Sequence, residues 1–252
     1  TLYNESYEMP PMPAGVEEGI LKGLYKLKPA SKGKKFKAHL FGSGPLLREA
    51  LRAQEILAEQ FDVSADVWSA TSYKLLRGDA LRTRRWNMLH PTATPKKSYI
   101  ESVLQDEEGV FIAVSDYMKM VADQITPWVP GGLLTLGTDG FGRSDTRENL
   151  RRFFEVDAEI TTVATLYALY QKGLLAGHAV EQRLRLLVHL LTAVRRPVGV
   201  GPDHVLGVVA CDRLLATLRV PDVEHRKQVL EQQLADPCGV GRRGGGNRIR
   251  RS

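Results

Sequence analysis

Short apolar runs alternate with amphipathic stretches over the first 175 residues, and this alternation constrains the fold most. Strands are predicted at Phe36–Phe41, Asp66–Ala70, Val110–Ser115 and Leu133–Leu136. Helices are predicted from Leu46 through Leu57, at Lys97–Leu104, at Met118–Ile125, after Ser144 and at Ala158–Gly173, whereas Tyr73–Leu89 is predicted to be irregular with helical turns. Such alternation predicts an α/β fold with a mostly parallel (mixed) sheet that helices cover on both faces.

Both ends of the chain depart from this pattern. Pro10, Pro11 and Pro13 exclude a helix and favour an extended arm over residues 1–30. After Leu174 the chain has possible helices at Val180–Val194 and Asp212–Leu234, then a low-complexity end rich in Gly and Arg. This last segment cannot bury a core.

The charge of the chain is unevenly placed. It carries 35 Lys and Arg against 29 Asp and Glu, yet residues 1–180 hold 22 of each sign. The whole excess of +6 therefore lies in residues 181–252, which contain 12 Arg and 1 Lys. Cys211 and Cys238 have no metal-type spacing, and no run of 18 apolar residues predicts a membrane helix. We expect a cytoplasmic protein whose body has no nucleic-acid partner.

The segment Gly137–Asp157 predicts a strand end, a glycine turn and a helix, with Asp145 and Glu148 at capping-box spacing. Gly137 to Ser144 matches a phosphate-binding P-loop except that Arg143 replaces the lysine. Arginine does not replace that lysine well, because the lysine acts on phosphates as a compact point charge. We expect the turn to be structural, with Gly142 in a backbone conformation that a valine would strain.

Several strings, in order along the chain, resemble the homodimeric pyruvate dehydrogenase decarboxylating component, a thiamin-diphosphate enzyme of the transketolase superfamily. They are Asn4–Gly15 and Gly19–Lys26, similar to a connector between domains, Leu40–Gly44, Arg85–Pro91, Ser115–Lys119 and the segment Gly137–Asp157. The resemblance covers about residues 1–175 and points to the C-terminal domain of that enzyme.

The resemblance implies three segments. Residues 1–30 are expected to be an extended connector from a missing preceding domain, and residues 31–175 a transketolase C-terminal-like α/β domain. Residues 176–252 form a divergent tail, which is either a genuine appended segment or the product of a wrong reading frame in a GC-rich gene.

The same resemblance implies oxidative decarboxylation of pyruvate with thiamin diphosphate and Mg²⁺, followed by transfer of the two-carbon unit to the lipoyl group of dihydrolipoyl acetyltransferase. In the family, the motifs that hold Mg²⁺ and activate the thiazolium lie in earlier domains and do not occur in this sequence. We therefore expect no catalytic, cofactor-binding or metal-binding residue here, and a structural role that supports a homodimer. Two alternatives stay open: a nucleotide-binding α/β enzyme that uses Gly137–Ser144, and a basic-tailed nucleic-acid-binding module.

Individual side chains have simpler structural interpretations. Gly42-Ser43-Gly44 lacks the third glycine of a dinucleotide motif, since Leu47 holds that position, so we expect a tight strand-to-helix turn with free backbone amides. His39 is expected on a sheet face, His90 in a packed or interface position, and Asp116 or Ser115 at a helix N-cap.

The charged side chains of the second half are interpreted in the same way. We expect a local ion pair or turn hydrogen bond to account for Asp139 and Arg143. Arg147, Arg151 and Arg152 are expected on a solvated or intersubunit face. The cluster of Arg82, Arg84 and Arg85 beside Trp86 could bind RNA, but it stands alone in a charge-balanced body.

Overall fold

The computed structural model describes residues 7–178, 180 and 181. In this part of the chain, five strands form one sheet in the order β1-β3-β2-β4-β5. The strands are β1 (Leu24–Lys28), β2 (Phe36–Gly42), β3 (Val63–Ala70), β4 (Val110–Val114) and β5 (Leu134–Leu136). The helices are α1 (Glu17–Lys22), α2 (Leu47–Gln60), α3 (Tyr73–Leu89), α4 (Tyr99–Leu104), α5 (Lys119–Asp123), α6 (Arg147–Phe153) and α7 (Ala158–Gln171).

The sheet is mixed, as the alternation predicts. β2 pairs in parallel with β3 and β4, and β4 pairs in parallel with β5. Only β1, among the described strands, runs antiparallel to its neighbour, β3. All five residues of β4 are buried. A parallel strand is buried in this way when helices cover both faces of the sheet.

Side chains of the three central strands, β2, β3 and β4, face two helical layers. On one face, α2 packs on β2 and β3, and α7 packs on α2 and β4. On the other face, Phe41, Trp68 and Phe111 of the sheet form one cluster with Leu76 of α3 and Ile100 of α4. The predicted fold class is therefore confirmed. None of the helices in the described part of the chain combines the length and apolar character needed to cross a membrane.

The prediction of irregular structure for Tyr73–Leu89 is wrong, because these residues form the regular helix α3. Ser72 caps it by accepting a hydrogen bond from the Leu75 N–H. Its buried stripe consists only of Tyr73, Leu76 and Ala80. Because few residues of α3 are buried and several arginines lie between and after them in the sequence, the helical spacing of its apolar residues is weak.

The extended arm predicted over residues 1–30 is wrong for α1 and β1, which lie within that range. Residues 7–16 contain no helix or strand, but α1 and β1 follow them. Gly23 ends α1 at φ +107°, and a Cβ there would lie 2.5 Å from the Ser72 carbonyl oxygen. Leu24 is completely buried. This close approach between Gly23 and Ser72 holds the start of β1 beside the end of β3, and the strand order places β1 at the edge of the sheet.

The tail predictions lie beyond the described residues. The predicted helix Val180–Val194 continues past residue 181, and Asp212–Leu234, both cysteines and the arginine-rich end fall outside the described ranges.

Candidate functional site

The strand order creates a switch point between β2 and β4. From β2 the chain proceeds to β3 on one side, and from β4 it proceeds to β5 on the other. In open α/β sheets, ligands bind in the crevice outside the carboxyl ends of the strands at such a point. The structure has a cavity at this place.

The cavity has a volume of about 320 Å³. Pro45 and Leu46 follow β2, Asp116 follows β4, and Thr138 follows β5. The remaining lining consists of the glycine turn and the helix after it: Gly140, Gly142, Arg143, Arg147, Leu150, Arg151, Phe154 and Val156. An apolar floor thus meets three arginines and one carboxyl group.

Backbone hydrogen bonds hold the loops of the cavity in register. The Ser43 N–H donates to the Val114 carbonyl at 3.2 Å. The prediction that the backbone amides of the Gly42–Gly44 turn are free is therefore wrong for this amide. The Thr138 N–H donates to the Tyr117 carbonyl at 2.9 Å. A Cβ at Gly42 would lie 2.6 Å from the Leu47 Cα, which confirms the tight turn.

The three glycines of the Gly137–Ser144 turn differ in what they require. A Cβ at Gly137 would lie 2.5 Å from the Tyr117 oxygen and 2.7 Å from the Lys119 nitrogen. Gly140 has a φ of +97°, whereas Gly142 does not have a positive φ and faces open space. The prediction that a valine would strain the backbone at Gly142 is therefore wrong. In this turn it is Gly137 that has no room for a side chain.

The helix after the turn begins later than its sequence indicates. α6 starts at Arg147, and its N-cap is Thr146, which accepts from the Asn149 N–H. Asp145 instead accepts hydrogen bonds from the Thr146 N–H and the Asn149 side chain. The capping box predicted from Asp145 is wrong. Because the helix begins three residues after Ser144, the geometry does not favour a P-loop, in which the motif leads directly into the helix.

Asp139 and Arg143 have separate partners. Asp139 Oδ1 accepts the Lys119 N–H at 3.0 Å, a hydrogen bond that joins the turn to α5. The Arg143 guanidinium lies over the Phe153 ring, 4.5 Å from its centre. The local interaction predicted to account for both residues is therefore wrong: Asp139 bonds to a residue 20 positions earlier in the chain, and a cation–π contact accounts for Arg143.

The prediction of a solvated face is wrong for Arg151 and Arg152, whereas the alternative of an intersubunit face stays a prediction. Arg151 Nη1 donates to Glu49 Oε1 at 2.7 Å, and Glu49 Oε2 accepts the Ala158 N–H at 3.0 Å. Arg152 Nε lies 2.6 Å from Asp157 Oδ2. The side chains of both arginines are about one-fifth exposed or less, at 21% and 16%. These largely buried pairs join α2, α6 and α7.

Asp116 is not a helix N-cap, because α5 begins three residues beyond it, and the N-cap of α5 is Met118, which makes no side-chain cap. Ser115 Oγ accepts the Tyr117 N–H at 3.1 Å. Burial raises the pKa of the Asp116 carboxyl, an effect that the nearby positive charges of Arg151 and Arg147 oppose. This carboxyl is the acidic group of the cavity wall.

His90 is exposed at the C-terminal end of α3 and contacts the helix that it follows, whereas an interface position stays a prediction. Its ring stacks on Trp86 with 4.4 Å between centroids, and Nδ1 lies 2.8 Å from the Trp86 carbonyl oxygen. Lys96 Nζ lies 3.8 Å from the centre of the same Trp86 ring. Since two neighbours already pack on this ring, the structure does not favour base stacking by Trp86.

His39 lies on the sheet face as expected and is part of a polar cluster that the sequence did not reveal. Its buried ring stacks on Phe111, and potential ligand atoms of His39, Asp66 and Glu107 lie within 4.8 Å of one another. Lys26 Nζ lies 2.9 Å from Asp66 Oδ2 and 2.7 Å from Glu107 Oε1. The lysine ammonium thus occupies the cation position, so these residues do not fit the Mg²⁺ that the resemblance implies.

The matches to known proteins cover the part of the chain that forms this sheet. A family model described as the transketolase-like TK C-terminal domain matches residues 23–157. The pyruvate dehydrogenase E1 component of Pseudomonas aeruginosa is 49% identical over 174 residues, which are 69% of this chain and 20% of that protein. The component of the same name from Escherichia coli K12 is 51% identical over 174 residues, 69% of this chain and 19% of that protein.

The chain spans about a fifth of the length of these curated relatives. A solved transketolase from Leishmania mexicana aligns with a TM-score of 0.44 and 14% identity, covering 61% of this chain and 19% of that one. The family model alone matches more than half of the residues. The chain therefore belongs to the family of the transketolase-like C-terminal domain.

Proposed function

We propose that this chain is the C-terminal portion of a pyruvate dehydrogenase decarboxylating component. The observation that carries the proposal is an identity of about one half over 174 residues to proteins named pyruvate dehydrogenase E1 component. The two-layered packing and the buried ion pairs around Glu49 support a domain that is stable without a ligand. Exchange of matching segments with the Escherichia coli relative is the direct test.

In this proposal the complete enzyme is a cytoplasmic homodimer that decarboxylates the pyruvate formed in glycolysis. It uses thiamin diphosphate and Mg²⁺ and acetylates the lipoyl group of dihydrolipoyl acetyltransferase. The segment described here contributes structure and supports the dimer. Exposed apolar side chains suit that role, because they need covering by other parts of the enzyme: Met12 is 59% exposed, Leu21 77% and Met88 72%.

The isolated chain is expected not to bind thiamin diphosphate, since the cofactor-binding motifs of the family are missing from its sequence. The Asp66 and Glu107 carboxylates are also already paired with Lys26. Calorimetric titration with thiamin diphosphate and Mg²⁺ measures this directly, with the full-length Escherichia coli relative as the positive control. Saturable micromolar binding by the chain would mean that it contains a cofactor site of its own.

A further inference from the structure

The cavity at the switch point has features that a purely structural role does not require. Its volume of about 320 Å³ falls within the range of small-molecule sites. Three arginines and one aspartate line it, beside five apolar residues. We infer that this cavity binds a small organic anion, a phosphate or carboxylate attached to an apolar group. This inference goes beyond the proposed function, which involves no ligand at this place.

The charge distribution sets the orientation of such a ligand. Glu49 pairs with Arg151 but does not line the cavity, and Asp116 is the acidic group in the wall. Arg143 and Arg147 also line the cavity. Asp145 acts on Arg143 as a nearby negative charge outside the lining, and the contact with Phe153 limits where the Arg143 guanidinium can move. Guanidinium groups bind phosphate and carboxylate strongly because their N–H groups match the spacing of two oxygens. The anionic end of the ligand is therefore placed at the arginines.

The remaining walls fit the rest of the ligand. Leu46, Leu150 and Phe154 provide an apolar surface for a hydrocarbon or aromatic group. Asp116 repels an anion, so the uncharged part of the ligand lies beside this carboxyl group.

Gly142 offers a way to change the charge of the cavity without changing its packing. No heavy atom lies within 4 Å of the position that its Cβ would occupy, and its φ is not positive. Gly142→Asp and Gly142→Asn introduce side chains of nearly equal size, and only the first is negative. Both variants are expected to fold, which circular dichroism and thermal melting check.

The test is a calorimetric titration of the full chain with phenyl phosphate, with benzoate and with the uncharged benzyl alcohol. We expect phenyl phosphate or benzoate to bind saturably, and the stronger of the two identifies phosphate or carboxylate as the preferred group. Benzyl alcohol is expected to bind at least about tenfold more weakly. Gly142→Asp should weaken binding of the anion by about tenfold or more, and Gly142→Asn by less than about threefold.

A second pair of variants makes the test independent of position 142. Arg143→Gln should weaken binding of the anion as much as Gly142→Asp does. Arg82→Gln should not change the affinity, because Arg82 is an exposed residue of α3. Lack of saturable binding by both anions would overturn the inference. Equal affinities for anion and benzyl alcohol would do the same, as would equal affinities of the two Gly142 variants. None of these outcomes bears on the proposed function, which the segment exchange measures separately.

Discussion

Gly137→Val is expected to destabilise the chain by about 3 kcal/mol or more, whereas Gly142→Val, five residues further on, should change stability by less than about 0.5 kcal/mol. A Cβ at Gly137 would lie 2.5 Å and 2.7 Å from backbone atoms of Tyr117 and Lys119, and these atoms cannot move without disturbing the loop after β4. The same loop accepts the Thr138 N–H at 2.9 Å and donates to Asp139 at 3.0 Å, so the valine would disrupt both hydrogen bonds.

Thermal unfolding followed by circular dichroism measures the difference between these two variants. For a domain of this size, about 3 kcal/mol corresponds to a fall in Tm of roughly 6–12 °C. Gly142→Val is the matched control, because it makes the same substitution in the same turn where the structure has open space. Equal losses for the two variants would show that the turn does not pack against the β4 loop as described.

Glu49→Ala is the second substitution with a large expected effect, a loss of about 2–4 kcal/mol in the free energy of unfolding. The carboxylate accepts hydrogen bonds from Arg151 and from the Ala158 N–H at the start of α7, so alanine leaves a largely buried guanidinium and a buried amide without this acceptor. Glu49→Gln keeps a neutral acceptor oxygen and should lose about half as much.

Urea denaturation of these variants gives the free energies. Glu55→Ala is the control, because Glu55 lies on the same helix but its side chain is 61% exposed, in an ion pair with Lys28 at 3.4 Å. It should cost less than about 0.5 kcal/mol. If Glu49→Ala cost no more than Glu55→Ala, the ion pair would not link α2 to α6 and α7 in solution.

The buried parts of the fold were predictable because their signals are local. β4 is an uninterrupted apolar run, and α2 buries Ala50, Ala53 and Leu57 at helical spacing. β1 was missed because it is an edge strand in which Lys26 and Lys28 take alternate positions. An exposed edge tolerates lysines, and this removes the apolar signal.

The cavity could not be predicted, since three stretches that are far apart in the sequence form it. The pairing of Arg151 with Glu49 spans 102 residues, so nothing near Arg151 in the sequence distinguishes it from a solvated arginine. The motif Gly137–Ser144 did indicate an important turn, but its glycines gave no sign that Gly137 is packed and Gly142 open. That difference depends on the loop after β4, which only the folded chain brings near.

The central claim, that this chain is the C-terminal portion of a pyruvate dehydrogenase decarboxylating component, is tested by exchanging the 174-residue matching segment of the Escherichia coli relative for the one in this chain. Carbon dioxide release from pyruvate is then measured, with the Pseudomonas aeruginosa segment as a positive control for the junction and a relative lacking the segment as the negative control. We predict that the chimera retains activity within about tenfold of the native enzyme. A chimera as inactive as the truncated relative, while the Pseudomonas aeruginosa control works, would contradict the proposal.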